Sequence, residues 1–228
     1  MIQSRKDYEF YLLADEISLG VIPQKGISGW IKNLFFPHLI WEFQKTLRKL
    51  EYLQNCKSGL FARIEKFFVL RRFRSLSYKL GFSIPPNVFG PGLSIAHYGT
   101  IIVNDHARIG ANCRIHAGVN IGSRAGFEGE APKIGDNCYI GPGTKIFGSI
   151  SIANGTAIGA NAVVNKSVVE PNTSVAGIPA KMIGNVDTRE FIIPGSILAL
   201  EPLHDPYWRG KPAVEVYRIM KERGLTRT

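Results

Sequence analysis

The chain of 228 residues is long enough to bury a core in one or two domains, and a hydrophobic content of 45% argues against a disordered protein. Its 28 Lys and Arg against 18 Asp and Glu leave a net charge of +10, which suits an anionic partner such as a phosphorylated cofactor or an acidic membrane surface. No nucleic-acid-binding motif accompanies the charge, so nucleic acid is set aside, and three cysteines without CxxC spacing (Cys56, Cys113 and Cys138) exclude a disulfide framework.

The opening run, Met1 to Asp7, leads into Tyr8 and Glu9 rather than an apolar core, so no secretory signal is expected and the chain reads as cytoplasmic. Ser4 and Asp7 form a capping pair ahead of an apolar run through Phe10, Leu12 and Leu13 that Gly20 ends, which predicts a first helix. The most apolar stretch, Trp30 to Trp41, contains Lys32, Pro37 and His38 and is too short to span a bilayer; peripheral contact with the inner face of a membrane stays open. Leu39, Phe43, Leu47 and Leu50 recur at helical spacing and predict a second helix before Asn55 and Gly59. A third runs from Leu60 to Leu80 and stops at Gly81. In it Arg63, Lys66, Arg71, Arg72, Arg74 and Lys79 face a single acid, Glu65, among Ile64, Phe67, Phe68 and Leu76. Helices that join subunits and helices that lie on anionic membranes both look like this, and subunit packing is the preferred reading.

Pro85 and Pro86 force extended geometry and mark a change of architecture. Beyond them, branched apolar residues recur every six positions at Ile109, Ile115 and Ile121, then at Ile134, Ile140, Ile146, Ile152, Ile158 and Val164. Compact residues, Cys113, Val119, Cys138, Thr144, Thr156 and Ala162, hold the fifth slot of each hexad, as a thin prism interior requires. A period of six is too short for a helix pair or a propeller blade and fits a parallel β-helix. Thirteen residues separate Ile121 from Ile134, so one corner extrudes a loop around Ser123 to Pro132, where insertions commonly meet ligands. After Pro179 the beat is gone. A tail with Pro194, Pro202, Pro206 and Pro212 leads to a short helix over Ala213 to Arg223, expected to cap the open end of the prism. The expected organisation is an α-helical N-terminal region over 1–82, a β-helix over 83–184 and a tail over 185–228.

Four segments carry more specific information. They are Ala96-His97-Tyr98-Gly99-Thr100, Ile140-Gly141-Pro142-Gly143-Thr144-Lys145, Ile158-Gly159-Ala160-Asn161-Ala162-Val163-Val164 and Ala176-Gly177-Ile178-Pro179-Ala180-Lys181. In that order they make residues 95–183 resemble the hexapeptide-repeat acyltransferases, and within them the serine acetyltransferases and related O-acetyltransferases of capsule and O-antigen synthesis. The resemblance implies a mainly β fold with α, a left-handed parallel β-helix assembled as a homotrimer, with acetyl-CoA as cosubstrate in a groove between neighbouring prisms.

His97 is the candidate general base. Counting back in sixes from Ile109 gives Val103 and then His97, an ionisable ring in a slot that is apolar elsewhere. Acetyl transfer from a thioester to a hydroxyl needs a base near neutral pH, and the resemblance assigns that work to this histidine. His116, in a slot usually taken by Gly, is the rival: an acceptor or CoA contact, or a solvated side chain. His97, His106 and His116 lack the close H-x4-H spacing of a zinc site, so no metal is expected. For the cofactor, the resemblance points to Pro142 and Ala160 with Gly141, Gly143 and Gly159 at the coil corners, and to Lys166 and Lys181 near phosphate.

Departures from the serine enzymes shape the expected acceptor: Ala96 stands where they carry Asp, Ala131 where they carry His, and Gly135 or Asp136 where they carry Arg. A further departure weakens the mechanism, since Ser83 is the only polar residue where an Asp would orient the base. Serine is therefore disfavoured, and the expected reaction is O-acetylation of a sugar hydroxyl on a surface polysaccharide or its precursor. Tyr98, His116, Arg124 and Phe127 would contact this sugar or glycan acceptor. Serine O-acetylation, N-acetylation of an amino sugar and a catalytically inactive trimeric scaffold are the alternatives.

Overall fold

The computed structural model describes residues 1–21, 35–200 and 211–224. The start of the Trp30–Trp41 stretch, and Pro202 and Pro206, lie outside them. The three expected helices form at the expected signals. In α1 (Arg5–Leu19) the Ser4 side chain accepts the Asp7 N–H at 3.1 Å, and Gly20 ends the helix with φ 72°. Helix α2 (Leu39–Cys56) is capped by His38, and α3 (Leu60–Leu80) ends on Gly81 at φ 78°. Phe43 of α2 stacks on Phe73 of α3 at 5.3 Å and meets Phe82 edge-on at 5.1 Å, so the aromatic side chains join the helices to the first strand. No described helix is long and apolar enough to cross a membrane.

From Phe82 the chain winds into a three-faced parallel β-helix. One face orders β1 (Phe82–Ser83), β3 (Ile101–Val103), β6 (Asn120–Gly122), β9 (Lys145–Phe147) and β12 (Val163–Val164). A second holds β4 (Arg108–Ile109), β7 (Lys133–Ile134) and β10 (Ser151–Ile152). The third stacks β2 (Ser94–Ile95), β5 (Arg114–Ile115), β8 (Tyr139–Ile140), β11 (Ala157–Ile158) and β13 (Thr173–Gly177), and ends on the antiparallel β14 (Ala180–Asn185). Pairing joins Ile115 to Ile140 and Ile140 to Ile158, so each branched residue sits directly above its equivalent. Ile95, Ile115, Ile140 and Ile158 are fully buried, each side chain contributing about 1.5–3 kcal/mol of apolar burial. Cys113, Cys138, Thr144, Thr156 and Ala162 are buried between them, as their compact size allows. All three cysteines are free thiols, and burial pushes the Cys138 thiol up to about 12.

A buried ionic cluster closes the first coil. Arg48 of α2 is inaccessible to solvent and donates to Asp15 at 2.8 and 3.2 Å, to Glu51 at 3.0 Å and to the carbonyls of Phe89 and Gly90 at 2.9 and 2.6 Å. Asp15 in turn accepts the N–H groups of Gly92 and Leu93, each at 2.8 Å, and Glu51 accepts that of Asn87. An open β-helix end exposes unpaired backbone groups, and these side chains satisfy them. Burial works against the Arg48 charge, but Asp15 and Glu51 outweigh it and raise its pKa.

The tail does not cap the far end of the prism as expected. Its helix α4 (Ala213–Glu222) forms, but Val216, Ile219 and Met220 pack with Leu198 and Ala199 against Ala14 and Ile17 of α1. Thr188 donates to the Asn137 carbonyl at 2.7 Å and the Ser196 N–H to Asn112 Oδ1 at 2.9 Å, so the tail descends one corner of the prism back to the first coil. At its foot Gly195 approaches α1 so closely that a Cβ would lie 2.1 Å from the Ala14 carbonyl oxygen. Hydrophobic matching with α1, which sequence spacing does not report, decides the destination.

Candidate active site

Each strand of the third face ends at the same corner of the prism. Because Ile95, Ile115, Ile140, Ile158 and Val175 pair in succession, the residues after them form a vertical column: Ala96, His116, Gly141, Gly159 and Ala176. His97 and Tyr98 follow Ala96, Pro142 and Gly143 follow Gly141, and Ala160 follows Gly159. Lys181 pairs with Ala176 at the top. The backbone register therefore gathers His97, Tyr98, His116, Gly141, Pro142, Gly143, Gly159, Ala160 and Lys181 along one edge. Arg124, Phe127 and Lys166 lie along the next edge, after β6 and β12, and this chain alone does not bring them to His97.

His97 does not occupy the inward slot expected for it. Ile95 pairs with Ile115, twenty positions on, whereas Val103 pairs with Ile121, eighteen on. The corner between β2 and β3 thus carries two extra residues, and counting by sixes through it is out of register. Ile95 and Ile101 point inward, while His97 and Tyr98 stand exposed on the excursion. The signal that singled out His97 was a longer corner rather than a polar side chain inside the prism.

His116 is held far more tightly. Its ring is buried, Nδ1 lies 3.0 Å from the Ile140 carbonyl oxygen, and Tyr139 packs against it at 4.9 Å with Phe191 of the tail edge-on behind at 5.1 Å. Burial lowers its pKa; the bond to Ile140 works the other way, and the nearby Arg114 and His97 charges add to the lowering. The His97 and His116 ring centroids are 6.2 Å apart and tilted by 50°.

The corner glycines have a structural reason of their own. A Cβ on Gly141 would lie 2.7 Å from the Ile158 carbonyl oxygen and 2.9 Å from the Ala160 nitrogen, so stacking of coils by itself demands glycine there. What a ligand can reach is Pro142 and Ala160, both exposed, and the Ala160 N–H, which has no partner among the described residues. In the extruded loop, the Arg124 guanidinium stacks 4.5 Å over the Phe127 ring and lies 3.6 Å from Glu130. Lys166 is exposed, as is Lys181. Among the described residues no cluster of His, Cys, Asp or Glu is placed to hold a metal ion.

Comparison with known proteins finds a similarity to the family described as bacterial transferase hexapeptide (six repeats), whose model matches residues 131–166. A serine acetyltransferase of Staphylococcus xylosus is 37% identical over 151 residues, covering 64% of this chain and 63% of the relative. That of Mycobacterium tuberculosis is 37% identical over 101 residues, covering 44% of each. The chain thus spans less than two thirds of the length of these curated relatives. Among solved structures, a Brucella abortus serine acetyltransferase in complex with coenzyme A superposes with a TM-score of 0.58 at 27% identity, over 79% of this chain and 68% of that one. The Neisseria gonorrhoeae serine acetyltransferase gives 0.60 at 26% identity, over 80% and 68%. The fold is accordingly the left-handed parallel β-helix, preceded by an α-helical N-terminal region.

The expectation of a sugar hydroxyl as acceptor is overturned, and with it the capsule and O-antigen setting: these relatives and solved structures are serine acetyltransferases. That expectation leaned on two alanines. Ala96 belongs to a column otherwise filled by His116, Gly141, Gly159 and Ala176, and Ala131 is buried at the base of the extruded loop. Neither missing side chain says what replaces it.

Proposed function

We propose that the chain is an acetyl-CoA-dependent O-acetyltransferase acting on serine, as a cytoplasmic homotrimer. The observation that carries this reading is the single prism edge on which an exposed imidazole, His97, stands in line with the small-residue corners 141–143 and 159–160. His97 is the general base. It takes the hydroxyl proton as the oxygen attacks the thioester carbonyl, and the imidazolium returns that proton to the departing thiolate. Tyr98 and His116 border the acceptor. The free Ala160 N–H suits an amide carbonyl of the pantetheine arm, beside the accessible Pro142 and the close-stacked Gly141, Gly143 and Gly159. Lys181 at the top of the column meets phosphate. Arg124, Phe127 and Lys166 reach the site only from a neighbouring subunit, which is why the trimer belongs to the proposal. The division into 1–82, 83–184 and 185–228 is kept with it, catalysis residing in the second part.

The test is thiol release from acetyl-CoA with L-serine present. His97→Ala is expected to lower kcat by about 10²–10⁴-fold while calorimetric CoA binding persists. Without a carboxylate at Ala96 the serine ammonium is weakly held, so Ala96→Asp is expected to lower the KM for serine about tenfold. Wild-type protein that binds CoA but releases no thiol with serine would remove serine as acceptor; protein that binds no CoA would remove the enzyme class.

A further inference from the structure

The two imidazoles at the head of the column are held very differently. His97 is exposed, and no hydrogen bond to its ring exists among the described residues. A free imidazole divides its proton between two nitrogens, and a base is effective only when the nitrogen facing its substrate is the bare one. His116 has no such ambiguity. A carbonyl oxygen can only accept, so Nδ1 at 3.0 Å from the Ile140 oxygen must carry the proton, and Nε2 on the other edge of the ring keeps its lone pair. Tyr139 beside it and Phe191 behind Tyr139 keep the ring from turning. The charged and titratable groups around it are Arg114 on β5, Tyr139 on β8 and His97 in the corner; burial, with Arg114 and His97, favours its neutral form.

A centroid separation of 6.2 Å is too long for a direct bond between the rings and suits one bridging oxygen with two hydrogen bonds of about 2.8 Å. We propose that His116 is a positioning residue for His97: its fixed Nε2 lone pair receives the His97 N–H through a single bridging water. The proton of His97 is then confined to the nitrogen nearer His116, and the opposite nitrogen is left bare to take the acceptor proton. A buried neutral imidazole thereby does the orienting work, since among the described residues no carboxylate hydrogen-bonds to the His97 ring. This role rests on the acetyltransferase reading for its purpose, but its geometry can be read without any acceptor.

The experiment uses protein labelled with 15N in its histidine rings. At about pH 8 the wild type is expected to show His116 as the Nδ1–H tautomer and His97 as a single tautomer. His116→Asn retains an amide donor for the Ile140 carbonyl and removes the Nε2 acceptor. In this variant His97 is expected to become a tautomer mixture, with acetyl-CoA turnover falling about 10²-fold at an unchanged melting temperature. His116→Gln returns an acceptor near the Nε2 position and should recover at least tenfold of that loss. An Nε2–H tautomer for His116 in the wild type, or an unaltered His97 tautomer in His116→Asn, overturns the proposal. Failure to acetylate serine would instead count against the proposed function and leave the ring-nitrogen result to decide this one.

Discussion

The prism and the helical cap are stabilised in opposite ways. In the prism one solution is repeated: Ile115, Ile140 and Ile158 stack in register, and each coil satisfies the backbone of the next. The cap relies on a unique assembly in which Arg48, Asp15 and Glu51, from two helices, close the first coil. A repeated contact spreads its stabilisation over many layers. A unique one concentrates it in a few groups that fail together.

The largest test of that contrast is Asp15→Asn, which leaves the buried Arg48 charge undercompensated and turns an amide donor toward its Nε, while the remaining oxygen can still accept from Gly92 and Leu93. A loss of about 3–5 kcal/mol is expected, seen as a lowered denaturant midpoint. A near-neutral result would mean the cap is not what closes the prism. Next come two glycines that separate stacking from backbone conformation. Gly141→Ala drives a methyl into the backbone of the next coil and should cost about 2–3 kcal/mol, whereas Gly126→Ala in the extruded loop has open space and meets only the strain of φ 82°, about 1 kcal/mol. Equal costs would show that coil contact is not limiting.

The smallest effect concerns pH. The folded pKa of His116 lies below its ordinary 6.5, so the unfolded chain takes up the proton first as pH falls. The stability this histidine contributes is complete above about pH 6.5 and is lost as pH drops through the folded value. Urea midpoints at pH 7.5 and pH 5 should therefore differ less in His116→Asn than in the wild type. A variant as acid-sensitive as the wild type would place the sensitivity in another group.

Local signals carried much of the architecture. Ser4, Gly20, Gly59 and Gly81 bracket their helices, and the branched residues from Ile109 to Val164 mark the coils, because capping and layer stacking act over a few residues. The same beat failed at His97, since two residues added to a corner shift the count without leaving a mark in the pattern. Nothing in the local sequence sets Arg48 apart from an ordinary helical surface charge. Its burial depends on Asp15, thirty-three positions away, and on coil carbonyls beyond Pro86.

By itself the sequence determined that a six-residue repeat folds as a β-helix behind three helices, because periodic burial is written in the spacing of Ile and Val. It also marked His97 and the small-residue corners as the places to look. Only the tertiary structure decided that these corners share one edge, that the His116 ring is buried against the Ile140 carbonyl beside His97, and that the tail returns to α1. Those outcomes depend on which coils stack and on which distant side chains meet, and a linear pattern does not encode either distance.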